Sequence, residues 1–252
     1  MDMKTRMMAA LLTAACAIAQ AQPASQLYLA TEKSPYSRPG GDPAAGPGTD
    51  IVRAIMAQAG IGHRIEVLPW KRAYAAALER RDGCVYPTTR TPEREQQFTW
   101  IGPIRDANWV LMARADRKFA LRTLEDARRY RIGTYNGDAR DQYLRDRNFN
   151  VDPAPNDLVN PDKLMLGRID LWAASLGSSN LTLERLGYAG KVVPVLVFNR
   201  AQTYLACNRA VPERLVARMR TALAALERDG SAAAIRRRYD GRGAVRDTGV
   251  KP

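Results

Sequence analysis

An α/β fold with mainly parallel strands is the class this sequence predicts, on three observations. Short apolar runs alternate with helical stripes: Leu27-Tyr28-Leu29-Ala30-Thr31, then Ile51, Val52, Ile55, Met56 and Ala59 at three- and four-residue steps, then Ile65-Glu66-Val67-Leu68. The same rhythm returns later around Arg131-Ile132-Gly133-Thr134 and Ile169-Asp170-Leu171-Trp172-Ala173. Glycine and proline fall between these segments, where turns and helix ends need them.

Taken in order, residues 27–31 form a first strand, followed by Glu32-Lys33-Ser34-Pro35-Tyr36 and a Gly-, Pro- and Ala-rich loop from Pro39 to Gly48. Thr49 or Asp50 caps the next helix and Gly60 stops it. After the strand at 65–68, Trp70, Ala73, Tyr74, Ala77 and Leu78 recur at helical spacing, so Pro69-Trp70-Lys71-Arg72 opens a helix with one buried face. A short strand holding Cys84-Val85-Tyr86 then runs into Thr88-Thr89-Arg90-Thr91-Pro92-Glu93-Arg94, with Phe98-Thr99-Trp100 beyond. Two arginines among threonines make a dense set of anion-directed donors, because the guanidinium is a planar fork matched to a carboxylate and hydroxyls complete its coordination.

Trp109 to Ala113 reads as a strand, and Thr123-Leu124-Glu125-Asp126 as a capping box. The strand at 131–134 turns through Tyr135-Asn136-Gly137 into a helix near Asp138, which itself stands where backbone N–H groups favour an anion. Asn160-Pro161 opens a helix ended by Gly167, and the strand at 169–173 sets Asp170 among apolar neighbours. Leu181, Leu183 and Leu186 mark a short helix closed by Gly187, and 192–198 and 203–207 are strands. Pro212 starts the longest helix, striped by Leu215, Val216, Met219, Leu223 and Leu226 and ended by Gly230; a last helix holds Ala233, Ile235 and Tyr239.

The formal net charge of +13 fits an arginine-rich solvated surface or attraction to anionic ligands and envelope surfaces. A single histidine, His63, makes a multi-histidine metal site impossible, and no metal or cofactor is expected. Lys4 and Arg6 precede a short apolar run, and Ala19-Gln20-Ala21 supplies a small-x-small cleavage pattern. Residues 1–21 therefore read as a cleaved signal peptide, and export to the periplasm is expected; a lipid anchor on Cys16 is the lesser alternative, since Thr13 stands where such signals carry an aliphatic residue. Removal of the leader leaves Cys84 and Cys207. An oxidising compartment favours a disulfide between them over two separately buried thiols.

Thr91-Pro92-Glu93-Arg94 with Phe98, preceded by Pro69-Trp70-Lys71-Arg72, resembles the extracytoplasmic solute-binding proteins of family 3, the amino-acid type, along nearly the whole mature chain. That resemblance implies the two-lobed type II periplasmic binding protein fold, with a hinge and an inter-lobe ligand cleft. It implies lobe 1 over residues 26–103 plus 203–252, and lobe 2 over 106–202. By resemblance, Arg94 grips a ligand carboxylate, Thr89 lines the binding face, Asp170 takes the ligand's amino group, and Glu32 and Tyr36 follow the first strand into the cleft. Arg90, Trp70, Trp100 and Trp172 join as cleft candidates, each with an ion-pair, surface or packing alternative. Small hydroxyl residues often stand in the family where this chain has Gly137-Asp138-Ala139. Asp138 there caps the helix, pairs with Arg94 or recognises a cationic group.

The function implied is non-enzymatic capture of a small polar solute, an amino acid or related carboxylate, for an ABC-type permease, by a monomer. A small-molecule enzyme on the same fold, drawing on Glu32, Asp138 and Asp170, is one alternative; a ligand-binding module for an envelope sensor is another. Export and dispersed arginines argue against nucleic acid.

Overall fold

The computed structural model describes residues 26–240. The expected leader, its cleavage site and Cys16 lie outside the described residues. Two five-stranded sheets carry the architecture. The first contains β1 (Leu27–Thr31), β2 (His63–Val67), β3 (Gly83–Thr89), β4 (Phe98–Asp106) and β10 (Gln202–Asn208), in the order β2-β1-β3-β10-β4. The second contains β5 (Trp109–Arg114), β6 (Ile132–Tyr135), β7 (Val151–Ala154), β8 (Leu171–Ser175) and β9 (Val192–Asn199), in the order β7-β6-β8-β5-β9.

Within each sheet three strands are parallel, β2-β1-β3 and β7-β6-β8, and the remaining pairings are antiparallel. The chain leaves the first sheet between Asp106 and Trp109 and returns between Asn199 and Gln202. β4 thus runs three residues past Pro103, the point at which the sequence reading ended the first segment.

Helices α1 (Pro47–Ala59), α6 (Glu213–Arg228) and α7 (Ser231–Asp240) cover one face of the first sheet, and α2 (Trp70–Glu79) the other. The α6 stripe of Leu215, Val216, Met219, Leu223 and Leu226 is buried throughout and meets Ile51, Val52, Ile55 and Met56 of α1. Burying each such side chain contributes about 1.5–3 kcal/mol, which is why the stripe rather than local propensity holds the helix in place. On the second sheet, α3 (Ala139–Arg145), α4 (Asn160–Met165) and α5 (Leu176–Arg185) follow β6, β7 and β8.

Two local expectations are corrected. Neither Thr49 nor Asp50 caps α1, which starts at Pro47, where a fixed φ and a missing N–H suit the first helical position. The Thr49 hydroxyl instead donates to the Ala44 carbonyl at 2.5 Å, and the Asp50 carboxylate accepts from the Tyr239 hydroxyl at 2.7 Å. The edge strand β7 has no counterpart in the sequence reading; it is four residues long and contains Pro153, which only an edge accommodates easily.

Cys84 and Cys207 form a disulfide between directly opposed positions of β3 and β10, both fully buried. It joins positions 123 residues apart, so everything between the two cysteines is a closed loop in the unfolded chain. Cys84→Ala with Cys207→Ala is therefore expected to lower stability by roughly 2–5 kcal/mol. Denaturant unfolding against the oxidised parent checks this, and an unchanged midpoint would contradict it.

Candidate functional site

The C-terminal ends of β1 and β3 face those of β6 and β7, and the side chains that follow these ends meet across the gap. Trp70 Nε1 donates to the Gly137 carbonyl at 2.9 Å, and Arg94 Nη2 donates to the same carbonyl at 3.0 Å. The Tyr135 hydroxyl donates to Glu32 Oε1 at 3.2 Å. On the other side of the sheets, Arg105 Nη2 donates to the Tyr36 hydroxyl at 3.0 Å beside Gly177, where an added Cβ would come within 2.6 Å of that guanidinium. Gly137 itself has φ +80°, and a Cβ there would meet Lys71 Cγ at 2.9 Å. Only glycine combines that backbone with so close an approach.

Arg94 sits in a short 3-10 segment (Pro92–Gln97) between β3 and β4 and is only 9 % exposed. Its guanidinium is held by the Gly137 carbonyl, more weakly by the Thr89 carbonyl at 3.5 Å, and by the faces of Tyr74 and Trp70 at 5.0 and 5.9 Å. It forms no ion pair among the described residues. Of the two acids beside it in sequence, Glu93 forms no ion pair with it and Glu95 pairs with Arg90 through two hydrogen bonds of 2.5 and 2.7 Å. A desolvated cation without a counter-charge is costly, and an anion placed against it recovers that cost.

Asp138 does not pair with Arg94. Its Oδ1 accepts from the Arg140 backbone N–H at 2.9 Å, capping α3, and from Arg140 Nε at 2.6 Å. Arg140 Nη2 reaches Asp157 at 3.1 Å, and Asp157 also accepts from Trp172 Nε1 at 2.7 Å and Asn160 Nδ2 at 3.1 Å. Burial works against ionising Asp138, yet the Arg140 contacts hold its carboxyl below the usual range. Glu32 lacks such a partner. Burial first, then the charges of Asp138 and Asp157, push its carboxyl up to about 7.

A cavity of about 800 Å³ opens between the sheets beside the two connections. Thr89, Arg90 and Arg94 line it from the first sheet, and Tyr143, Arg147 and Arg200 from the opposite side and the return connection.

Arg94, Thr89, Glu32, Trp70 and Asp138 thus converge on the seam, Arg90 lies on the cavity wall, and Tyr36 lies on the seam's other face. Three expectations are corrected. Asp170 precedes β8 at the end remote from the seam, roughly 16 Å along the strand from Ser175. There its carboxylate accepts from Arg117 at 2.8 Å and the Arg131 N–H at 3.0 Å, so it is no ligand for the amino group. Trp172 is 2 % exposed in the core and serves the cleft only by holding Asp157. Trp100 packs between Phe98 and Tyr204 in mid-strand, with its indole N–H on the Glu95 carbonyl. Sequence reasoning missed Tyr135, Arg140 and Asp157. Arg140 stood two residues from Asp138, a spacing that signals a cap and ion pair; nothing local marked Asp157.

A model of the bacterial extracellular solute-binding proteins, family 3, matches residues 28–242. A histidine kinase sensor domain with similarity to periplasmic binding proteins superposes with a TM-score of 0.78 at 21 % identity, covering 86 % of this chain and 96 % of that one. The arginine-, lysine-, histidine-binding protein ArtJ from Geobacillus stearothermophilus gives 0.75 at 17 % identity, covering 88 % and 98 %. An ancestral arginine-binding protein bound to arginine gives 0.73 at 18 %, covering 85 % and 97 %. No curated protein matches the chain in sequence. The two-sheet α/β architecture is that of the type II periplasmic binding proteins.

The Glu32 environment fixes a sign for pH dependence. Between about 4.5, its ordinary value, and about 7, the folded chain keeps a proton that the unfolded chain has released. Stability contributed by this group therefore falls as pH rises through that window and stays reduced above it. Thermal unfolding of the Glu32→Gln variant is expected to lose that slope relative to the parent; parallel profiles would contradict the assignment.

Proposed function

The chain belongs to the bacterial extracellular solute-binding proteins, family 3, and from that premise we propose that it captures a small carboxylate-bearing solute in the periplasm and delivers it to an ABC-type permease. The single observation that carries the ligand class is Arg94, a buried guanidinium without a carboxylate partner among the described residues, on the wall of an 800 Å³ cavity. The solute docks on Arg94 and the Thr89 hydroxyl. Residues 26–103 with 203–252, and 106–202, act as two lobes that close over it about the two connections. Closure is scored by contacts that exist only when the lobes meet, Trp70 and Arg94 on Gly137 and Tyr135 on Glu32.

Capture is binding rather than turnover. The family and its structural neighbours are binding proteins, and of the three acids an enzyme would draw on, Asp170 is held by Arg117 and Asp138 by Arg140, while Glu32 accepts from the Tyr135 hydroxyl. The likeness to a histidine kinase sensor domain favours a second reading, a ligand-binding module that reports to an envelope receptor. Uptake of the bound solute by cells with and without this protein separates the two, since only the transport reading requires uptake to fall.

A thermal-shift screen of carboxylates identifies ligands, and calorimetry on Arg94→Gln tests the site. Loss of a charged, bidentate interaction is expected to weaken binding by about tenfold or more. An unchanged Kd would remove Arg94 from the site.

A further inference from the structure

The cavity is larger and more basic than a single carboxylate requires. About 800 Å³ stands toward the upper end of the volumes typical of small-molecule sites, and Arg94 and Thr89 occupy only one wall. Four arginines face the space, against Glu93 and Asp106. Arg90 is neutralised by Glu95. Arg147 and Arg200 are not: neither forms an ion pair among the described residues.

Arg147 follows α3, with its guanidinium stacked 3.6 Å from the centroid of the Tyr143 ring and one N–H on the Tyr143 carbonyl at 3.2 Å. Stacking of this kind fixes the plane of the fork while leaving donors at its edge for an anion. Arg200 stands exposed in the return connection between β9 and β10, with no side-chain hydrogen bond among the described residues. Of the two acids on the wall, Asp106 at the end of β4 is turned to the Gln202 amide at 3.0 Å, and Glu93 feels the charges of Arg147 and Arg94 without an ion pair to either among the described residues. Positive charge is therefore in excess in one cavity, on Arg94 from the first sheet and on Arg147 and Arg200 from the opposite side.

We infer that the wall formed by Arg147 and Arg200 is a second anion subsite, and that the solute taken here is a dianion with separated acidic groups. One group lies on Arg94 and Thr89 and the other on Arg147 and Arg200. The inference rests on the proposed role of Arg94 and extends it. A solute of this kind neutralises guanidiniums from both halves at once, so its charge favours the closed arrangement as well as the bound one. The amides of Asn108 and Asn199 and the hydroxyl of Tyr204, also on the cavity wall, suit the polar middle of such a molecule. Dicarboxylates and phosphorylated carboxylates share this chemistry.

The test is calorimetry on the mature chain with succinate, glutarate, adipate and phosphoglycolate, each dicarboxylate set against its monoamide and phosphoglycolate against glycolate. At least one dianion is expected to bind about tenfold or more tighter than its singly charged partner, and the best compound reports whether the second group is a carboxylate or a phosphate. Arg147→Gln combined with Arg200→Gln, both exposed positions, should remove that preference while leaving the Kd of the singly charged compound unchanged. Equal affinities in the parent, no binding by any dianion, or a preference that survives the double substitution would each overturn the inference. Failure of the underlying reading shows separately, as singly charged compounds that bind Arg94→Gln as well as the parent.

Discussion

The guanidinium of Arg94 is the constraint on which the rest of the site depends. It is buried, always charged, and compensated by a carbonyl and two aromatic faces rather than by a carboxylate. Leaving a charge so placed costs several kcal/mol in a protein interior unless an anion arrives to meet it. The surrounding acids stop short of an ion pair with it, although Asp138 and Glu93 lie close enough to feel its charge. Glu95 is taken by Arg90, and Asp138 is turned into the cap of α3 and the grip of Arg140. On the proposed function, the unmet interaction is the solute's place.

The fold explains how that charge comes to stand at a seam. Parallel strands in each sheet bring their C-terminal ends, and the turns after them, to one edge, the position where open α/β sheets collect ligand-binding groups. Two short connections set the two edges opposite one another, and the disulfide ties β3 to β10 at the end of β3 opposite Thr89. Contacts across the seam combine hydrogen bonds, two of them on the Gly137 carbonyl, with the Tyr135 ring, which packs into the apolar cluster of the first sheet around Trp70. Glu32 adds a pH-dependent element, because its desolvation belongs to the same seam.

The legibility of the sequence follows the range of the interactions involved. The α6 stripe, the Trp70, Ala73 and Ala77 face of α2 and the cap at Asp138 were readable because each is written in residues two to four apart, although Leu78, expected on the α2 face, is exposed. The cysteine pair was readable from the expectation of export, which leaves Cys84 and Cys207 once the leader is set aside. The role given to Asp170 failed because alternating apolar residues locate a strand without saying which of its ends faces the cleft; the pairing of Asp170 with Arg117, from a loop 53 residues earlier, decides that. Trp172 and Trp100 look alike in sequence to Trp70, yet only Trp70 stands at a strand-to-helix junction on the seam. The Arg140 and Asp157 network, and the meeting of Arg94 with Arg147 and Arg200 around one cavity, depend on topology and leave no local trace.

The most direct test of the central claim, that an acidic solute completes Arg94, is native mass spectrometry of gently purified mature protein followed by identification of the molecule it releases. The account predicts a stoichiometric solute bearing at least one carboxylate or phosphate, lost from the Arg94→Gln protein. A stoichiometric solute without an acidic group, or one retained undiminished by Arg94→Gln, would contradict it.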